Sequence, residues 1–185
     1  MDTSERDKFL SMLEDDTQRM DRLVQKLLQL ARADVAQPET ERLCPAAELR
    51  SYVDATSPQR PIDLTISKAS EQTHIAMLRE TFASIIGNLV DNAFLHGGPA
   101  IKVRIEVDAQ EGELTISVTD NGRGISASNQ KRIFESFFTT ARERGGTGLG
   151  LAIVKSLIAA NKGKIDILSG ADGTKAVITL PEYDS

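Results

Sequence analysis

Three short stretches carry residue types that could do chemistry. The first is Asn88-Leu89-Val90-Asp91-Asn92, where two carboxamides stand four residues apart. On a helix they share a face. A carboxamide oxygen suits a hard cation such as Mg²⁺, which keeps several waters and binds substrate phosphates as well. The same amides could instead bridge neighbouring backbone. The second stretch is Asp120-Asn121-Gly122-Arg123-Gly124-Ile125. An ionised Asp accepts hydrogen bonds and cannot donate them, so it favours an exocyclic amine such as that of adenine. Alternate glycines clear room for a flat ring. A plain Asp-Gly turn is the other reading. The third is Gly145-Gly146-Thr147-Gly148-Leu149-Gly150-Leu151, with four glycines in six residues before an apolar run from Ala152 to Ala160. Glycines let the backbone approach a ligand closely, and a helix start offers unpaired N–H groups and a positive dipole end. That combination suggests an anion site for phosphates. It is not a P-loop, because no Gly-Lys-Ser/Thr closes it. It is also a poor dinucleotide fingerprint, because polar Thr139 to Arg144 precedes it rather than a strand.

Composition narrows the classes. The chain has 185 residues, 40% of them apolar, and a net charge of −5. That is one domain plus an appendage, and the acidic balance argues against a nucleic-acid partner. A single cysteine, Cys44, allows no internal disulfide. Two histidines, His74 and His96, make a multi-histidine metal site implausible. The polar start at Met1 to Asp7 is no signal peptide, and no apolar run reaches membrane-spanning length. The expectation is a soluble, cytoplasmic chain.

The elements that must position these stretches follow from periodicity. Residues 4–34 read as one long helix, in which Leu10, Leu13, Thr17, Met20, Val24, Leu27 and Ala31 form a heptad seam widened by Phe9, Leu23 and Leu30. Such a seam serves either the chain's own domain or, as the better expectation, helices elsewhere. Residues 35–42 form a linker around Pro38, and a helix starts at Pro45. Residues 62–67 are a strand, 74–77 a possible short one, and 78–95 a helix with a broad apolar face ended by Gly97-Gly98-Pro99. Alternation predicts a hairpin over 101–107 and 114–118, a short helix over 126–136, and a loop over 139–146. A helix over 148–161 and a last hairpin, 164–169 with 174–180, complete the chain. The fold class is α+β: a two-layer sandwich with a mixed, mainly antiparallel sheet and a long N-terminal helix.

Taken in order, the three stretches resemble the ATP-binding domain of sensor histidine kinases. That family is grouped with type II topoisomerase B subunits, mismatch-repair ATPases and the large ATP-dependent heat-shock chaperone. Asn88 to Asn92 is similar to the N box, Asp120 to Gly124 to the G1 box, and Gly146 to Gly150 to the G2 box. Ile133-Phe134-Glu135-Ser136-Phe137-Phe138 is similar to the F box, and Gly173-Thr174 to a pair that supports adenine recognition. The resemblance implies a Bergerat-type fold over 43–185. It also implies that 1–34 is the second helix of a dimerisation and phosphoacceptor hairpin.

The same resemblance implies roles. ATP and Mg²⁺ are the expected cofactors, with Asn92 on the metal and Asn88 supporting it. Asp120 would accept from the adenine amine, Gly122 and Gly124 give access, Ile125 packs on the ring and Thr174 assists. Gly146, Gly148 and Gly150 would shape the phosphate end, with backbone N–H groups of Thr147 to Leu149 as donors, and residues 136–146 would be a lid. Phe134, Phe137 and Phe138 would anchor that lid, with core packing as good a reading for Phe134. ATP-hydrolysing members place Glu where this chain has Asn88, so the chain is expected to hold ATP intact and deliver its γ-phosphate elsewhere. Two departures stand out. A basic residue usual in the family is Leu95 here, for which Arg142 or Arg144 could compensate. No histidine precedes His74, so the phosphoacceptor is expected on a helix not present here. His74 and His96 are expected only to pack or cap. Expected partners are that helix hairpin and a response regulator. The family's full-length kinases are homodimers, and this chain is expected to be a monomer or weak dimer. The alternative is a regulatory nucleotide-binding module, a degenerate kinase acting through its lid.

Overall fold

A computed structural model describes residues 3–35, 41–56, 60–98 and 100–183. Helix α1, Thr3–Val35, is followed by β1, Arg42–Leu43, α2, Pro45–Thr56, β2, Ile62–Ile66, β3, Ile75–Ala76, and α3, Arg79–Gly97. Then come β4, Val103–Gln110, β5, Glu113–Asp120, α4, Ala127–Gln130, α5, Gly150–Ala160, β6, Lys164–Gly170, and β7, Gly173–Pro181. The linker read over 35–42 falls largely outside the described residues.

The main sheet has the order β2-β4-β5-β7-β6. Only β2 and β4 pair in parallel, and α3 supplies the crossover that a parallel pair requires. Register follows the apolar alternation. Ile105 faces Val118 and Val107 faces Ile116 across β4 and β5. Val118 faces Ala176 and Ile116 faces Ile178 across β5 and β7. The hairpin between β4 and β5 closes on Glu111 and Gly112, both at positive φ (55° and 82°), the two-residue turn whose twist matches its strands. One sheet face is thereby apolar. Phe82, Ile85, Ile86, Leu89 and Val90 of α3, with Val154 and Ile158 of α5, pack into a single core against it. Helices lie on one side of a mainly antiparallel sheet, as the sequence predicts.

Helix α1 packs on α5 through a face that half-buries Leu23, Lys26 and Leu30. Its heptad seam points elsewhere: Met20 is 67% exposed and Val24 53%. The heptad positions are thus uncovered within the described residues, but Leu23 and Leu30, expected to widen the seam, turn toward α5 instead.

One expectation is corrected and one open reading is decided. The helix over 126–136 shrinks to Ala127–Gln130. After it the N–H groups of Arg132, Glu135 and Phe138 each donate to the carbonyl three residues back, so the segment runs as successive turns. Ser126, Ser128 and Asn129 are weak helix formers, and Gln130 Nε2 is bonded to the Ile125 and Ser169 carbonyls (2.8 and 3.2 Å). Phe134 is not core. It is half-buried, with the Lys155 ammonium 5.3 Å from its ring centre.

Candidate functional site

The amides come first. Helix α3 carries Asn88 and Asn92 toward the start of α5, where Gly150 stands. A Cβ on Gly150 would lie 3.2 Å from Asn88 Oδ1 and 3.4 Å from both polar atoms of Asn92, so glycine lets the two helices meet at this polar layer. Asn88 is buried, and its Nδ2 donates to the Ser84 carbonyl at 2.8 Å. The backbone-bridging role therefore belongs to Asn88. Asn92 is different: its Nδ2 is buried and has no hydrogen-bond partner among the described residues. A buried amide without a partner is costly unless a ligand completes it. The neighbouring carboxylate, Asp91, accepts from Arg60 at 2.5 Å. No cluster of three or more acidic, His or Cys side chains exists among the described residues. A hard cation here must therefore draw most of its ligands from a phosphate and water, which suits Mg²⁺.

The second end is built around Asp120, the last residue of β5. It lies opposite Thr174 in the β5–β7 register. Its Oδ1 accepts from the N–H of Gly122 at 2.8 Å and of Thr174 at 3.3 Å. Both bonds fix the carboxylate without using its second oxygen. Gly124 sits at φ +68°, and a Cβ there would collide with the Gly170 carbonyl. Ser169 ties these segments together. Its Oγ accepts from the Ile125 N–H at 2.8 Å, donates to the Gly173 carbonyl at 3.1 Å and lies 3.0 Å from Thr174 Oγ1.

Between the two ends runs the glycine-rich loop. Phe137 N–H donates to the Gly148 carbonyl at 2.9 Å, and Gly146 N–H to the Ala141 carbonyl at 2.9 Å. Gly148 has φ +71°, and a Cβ on it would lie 2.5 Å from the Phe137 carbonyl carbon. Phe137 itself adopts φ +67° and is 51% exposed. Phe138 is held under Arg132, whose guanidinium lies 4.4 Å from the ring centre. Arg142 and Arg144 form an exposed 3-10 turn within this loop. Helix α5 starts without a side-chain cap, so its first N–H groups are left for a ligand or water.

These walls enclose a cavity of about 840 Å³, large enough for a nucleotide. Asn92, Asp120, Gly122, Gly124, Ile125, Gly146, Thr147, Gly148, Gly150 and Thr174 all line it. Two of the residues singled out from sequence stand behind the wall. Asn88 is one. Leu149 is the other, fully buried, with its N–H 3.4 Å from Thr147 Oγ1. Sequence reading missed Ser169 and Gln130, whose roles exist only once the last hairpin closes over Ile125. It also missed Lys26 and His96 as wall residues; nothing in their sequence neighbourhood signals a ligand.

Burial pushes the His96 imidazole below its ordinary value of 6.5, with Arg144 and Arg123 adding to the effect and Asp120 opposing it. The unfolded chain thus takes up this proton near pH 6.5 and the folded chain only at lower pH, so stability falls as pH drops through that range. We expect His96→Asn to flatten the decline in melting temperature between about pH 7.5 and about pH 5.5. Identical slopes for both proteins would show that His96 does not contribute.

A carboxylate fixed at one end of a cavity, a partnerless amide and an uncapped helix start at the other, and a sandwich of this topology together define an ATP-binding domain of the sensor histidine kinase type. The chain belongs to the family of histidine kinase-, DNA gyrase B- and HSP90-like ATPases, whose model matches residues 77–184. It is 32% identical over 182 residues to the probable sensor histidine kinase TcrY of Mycobacterium tuberculosis, covering 93% of this chain and 38% of that protein. The crystal structure of full-length ShkA in complex with AMPPNP superposes with a TM-score of 0.82 at 26% identity, covering 99% of this chain and 40% of ShkA. The nucleotide-free catalytic domain of the histidine kinase ThkA matches with a TM-score of 0.65 at 25% identity, over 78% of this chain and 96% of ThkA's. The chain spans 38% of the length of TcrY and 21% of that of the alginate biosynthesis sensor KinB of Pseudomonas aeruginosa, a second relative. No helix of the described residues is long and apolar enough to cross a membrane.

Proposed function

We propose that this chain is the catalytic part of a two-component sensor histidine kinase: it binds Mg²⁺·ATP and delivers the γ-phosphate to a histidine it does not itself present. The observation that carries this reading is the polarity of the cavity. Asp120 is fixed to receive an adenine amine, and the buried Asn92 amide without a partner lies beside the uncapped start of α5. Asn92 would hold the Mg²⁺, which when bound neutralises charge on the phosphates. Gly146, Thr147, Gly148 and Gly150 leave room for those phosphates, and Thr147, Gly148 and Gly150 supply backbone N–H groups to them.

The position from which a general base would act on water holds Asn88, an amide committed to the Ser84 carbonyl. The cavity can position ATP but has no group there to activate water. The acceptor is instead a histidine nitrogen, which attacks the γ-phosphorus as the bond to the β–γ bridging oxygen breaks and ADP leaves. We read α1 as the second helix of the hairpin that carries this acceptor, with its exposed seam facing the rest of a homodimeric helix bundle. A response-regulator aspartate then takes the phosphate. The setting is the cytoplasm.

The test supplies a separate phosphoacceptor hairpin together with ATP labelled at the γ-phosphate. Label should appear on the hairpin in an acid-labile form, while the chain alone releases no phosphate above background. Persistent failure to label the hairpin despite nucleotide binding would favour a regulatory module that only binds ATP.

A further inference from the structure

A basic side chain from outside the sandwich reaches the cavity. Lys26 of α1 lines it. Lys26 is half-buried, as are Leu23 and Leu30, three residues before it and four after, so the three share one face of the helix. That face packs on α5, and the part of α5 that lines the cavity is its first turn, Gly150 and Leu151. Lys26 thus shares the cavity wall with Gly150, which meets the amides of Asn88 and Asn92. The same wall includes Leu95, which brings no charge. Arg142 and Arg144 stand exposed on the loop.

We propose that Lys26 is a phosphate-binding residue, its ammonium meeting the terminal phosphate oxygens of ATP at the start of α5 and so tying α1 to the bound nucleotide. The inference rests on the ATP reading above. A lysine is a compact charge on a flexible stem, suited to a polyanion whose position is set by other groups. Its partial burial against α5 shortens the reach it must make. The contact also has a mechanical consequence. ATP holds α1 on α5, and by reciprocity whatever pulls α1 away from α5 weakens ATP binding. Movement of the helix and occupancy of the cavity become one equilibrium.

Calorimetric titrations of the full chain with ATP, ADP and adenosine, in Lys26→Gln and Lys26→Arg, test this. Lys26→Gln should weaken ATP about 10-fold, the scale of one charge-assisted phosphate contact. Adenosine affinity should stay within about 2-fold, because no phosphate is present to lose its partner. Lys26→Arg should recover ATP affinity to within about 3-fold. Unchanged ATP affinity in Lys26→Gln, with normal binding by the unaltered chain, overturns this inference alone. An equal loss for adenosine overturns it too, since it would mark a structural effect. No ATP binding by the unaltered chain overturns both this inference and the reading it rests on.

Discussion

Asp120→Asn should lower ATP affinity on the order of 100-fold while leaving the melting temperature nearly unchanged. On the proposed reading the two effects separate, because one carboxylate oxygen is used by the fold and the other is left for the ligand. Asp120 Oδ1 accepts from the backbone of Gly122 and Thr174, and a carboxamide oxygen can do the same. The second position then changes from an acceptor to an NH₂ donor, which faces the donor of the adenine amine. Two donors opposed in a partly buried site lose the original bond and leave both groups unsatisfied, about 3 kcal/mol in total. A matching loss of fold stability would mean that Asp120 serves the architecture and not the ligand. Isothermal titration and thermal melting of the same preparation distinguish the two.

Gly124→Ala should lower the melting temperature by roughly 10 °C and abolish nucleotide binding with it. At φ +68° an L side chain is strained, and the added Cβ would occupy the position of the Gly170 carbonyl. That carbonyl belongs to the end of β6 and cannot swing aside without breaking the Ser169 network. A backbone clash added to positive-φ strain costs about 3 kcal/mol, near the upper end for single substitutions. Gly112→Ala is the control: it also has positive φ, but nothing lies within 4 Å of its added Cβ. It should cost only the strain, about 1 kcal/mol. Equal effects for both would show that the contact between Ile125's loop and the last hairpin is not a structural joint.

Much of this was legible from residue order alone. Alternation along Val103 to Val107 and Leu114 to Val118 specified the central hairpin, because one buried face sets the register. Asn88, Asn92, Asp120 and the glycines were legible because their types are poorly explained by packing. What escaped has a common cause. Ser169 and Gln130 act through contacts between segments about forty residues apart (44 and 39 to their partners), and no local pattern encodes such a meeting. Leu149 buries its side chain in the core, which leaves only its backbone for the phosphate end expected of it. The seam of α1 divides: Met20 and Val24 stay exposed, whereas Leu23 and Leu30, read as widening the same seam, are half-buried on the face toward α5. The face that packs on α5 carries Leu23 and Leu30 on either side of Lys26, and two leucines flanking a heptad pattern are indistinguishable by periodicity from a broadening of it.

The proposed role of Asn92 in holding the metal of bound Mg²⁺·ATP is tested by an ATP titration of the unaltered chain and Asn92→Ala, each with Mg²⁺ and with EDTA. The unaltered chain should bind more tightly with Mg²⁺, by about 10-fold or more, and Asn92→Ala should bind equally weakly in both conditions. An unaltered chain indifferent to Mg²⁺, or an Asn92→Ala variant that keeps the full Mg²⁺ effect, would contradict it and leave the Asn92 oxygen without the metal assigned to it.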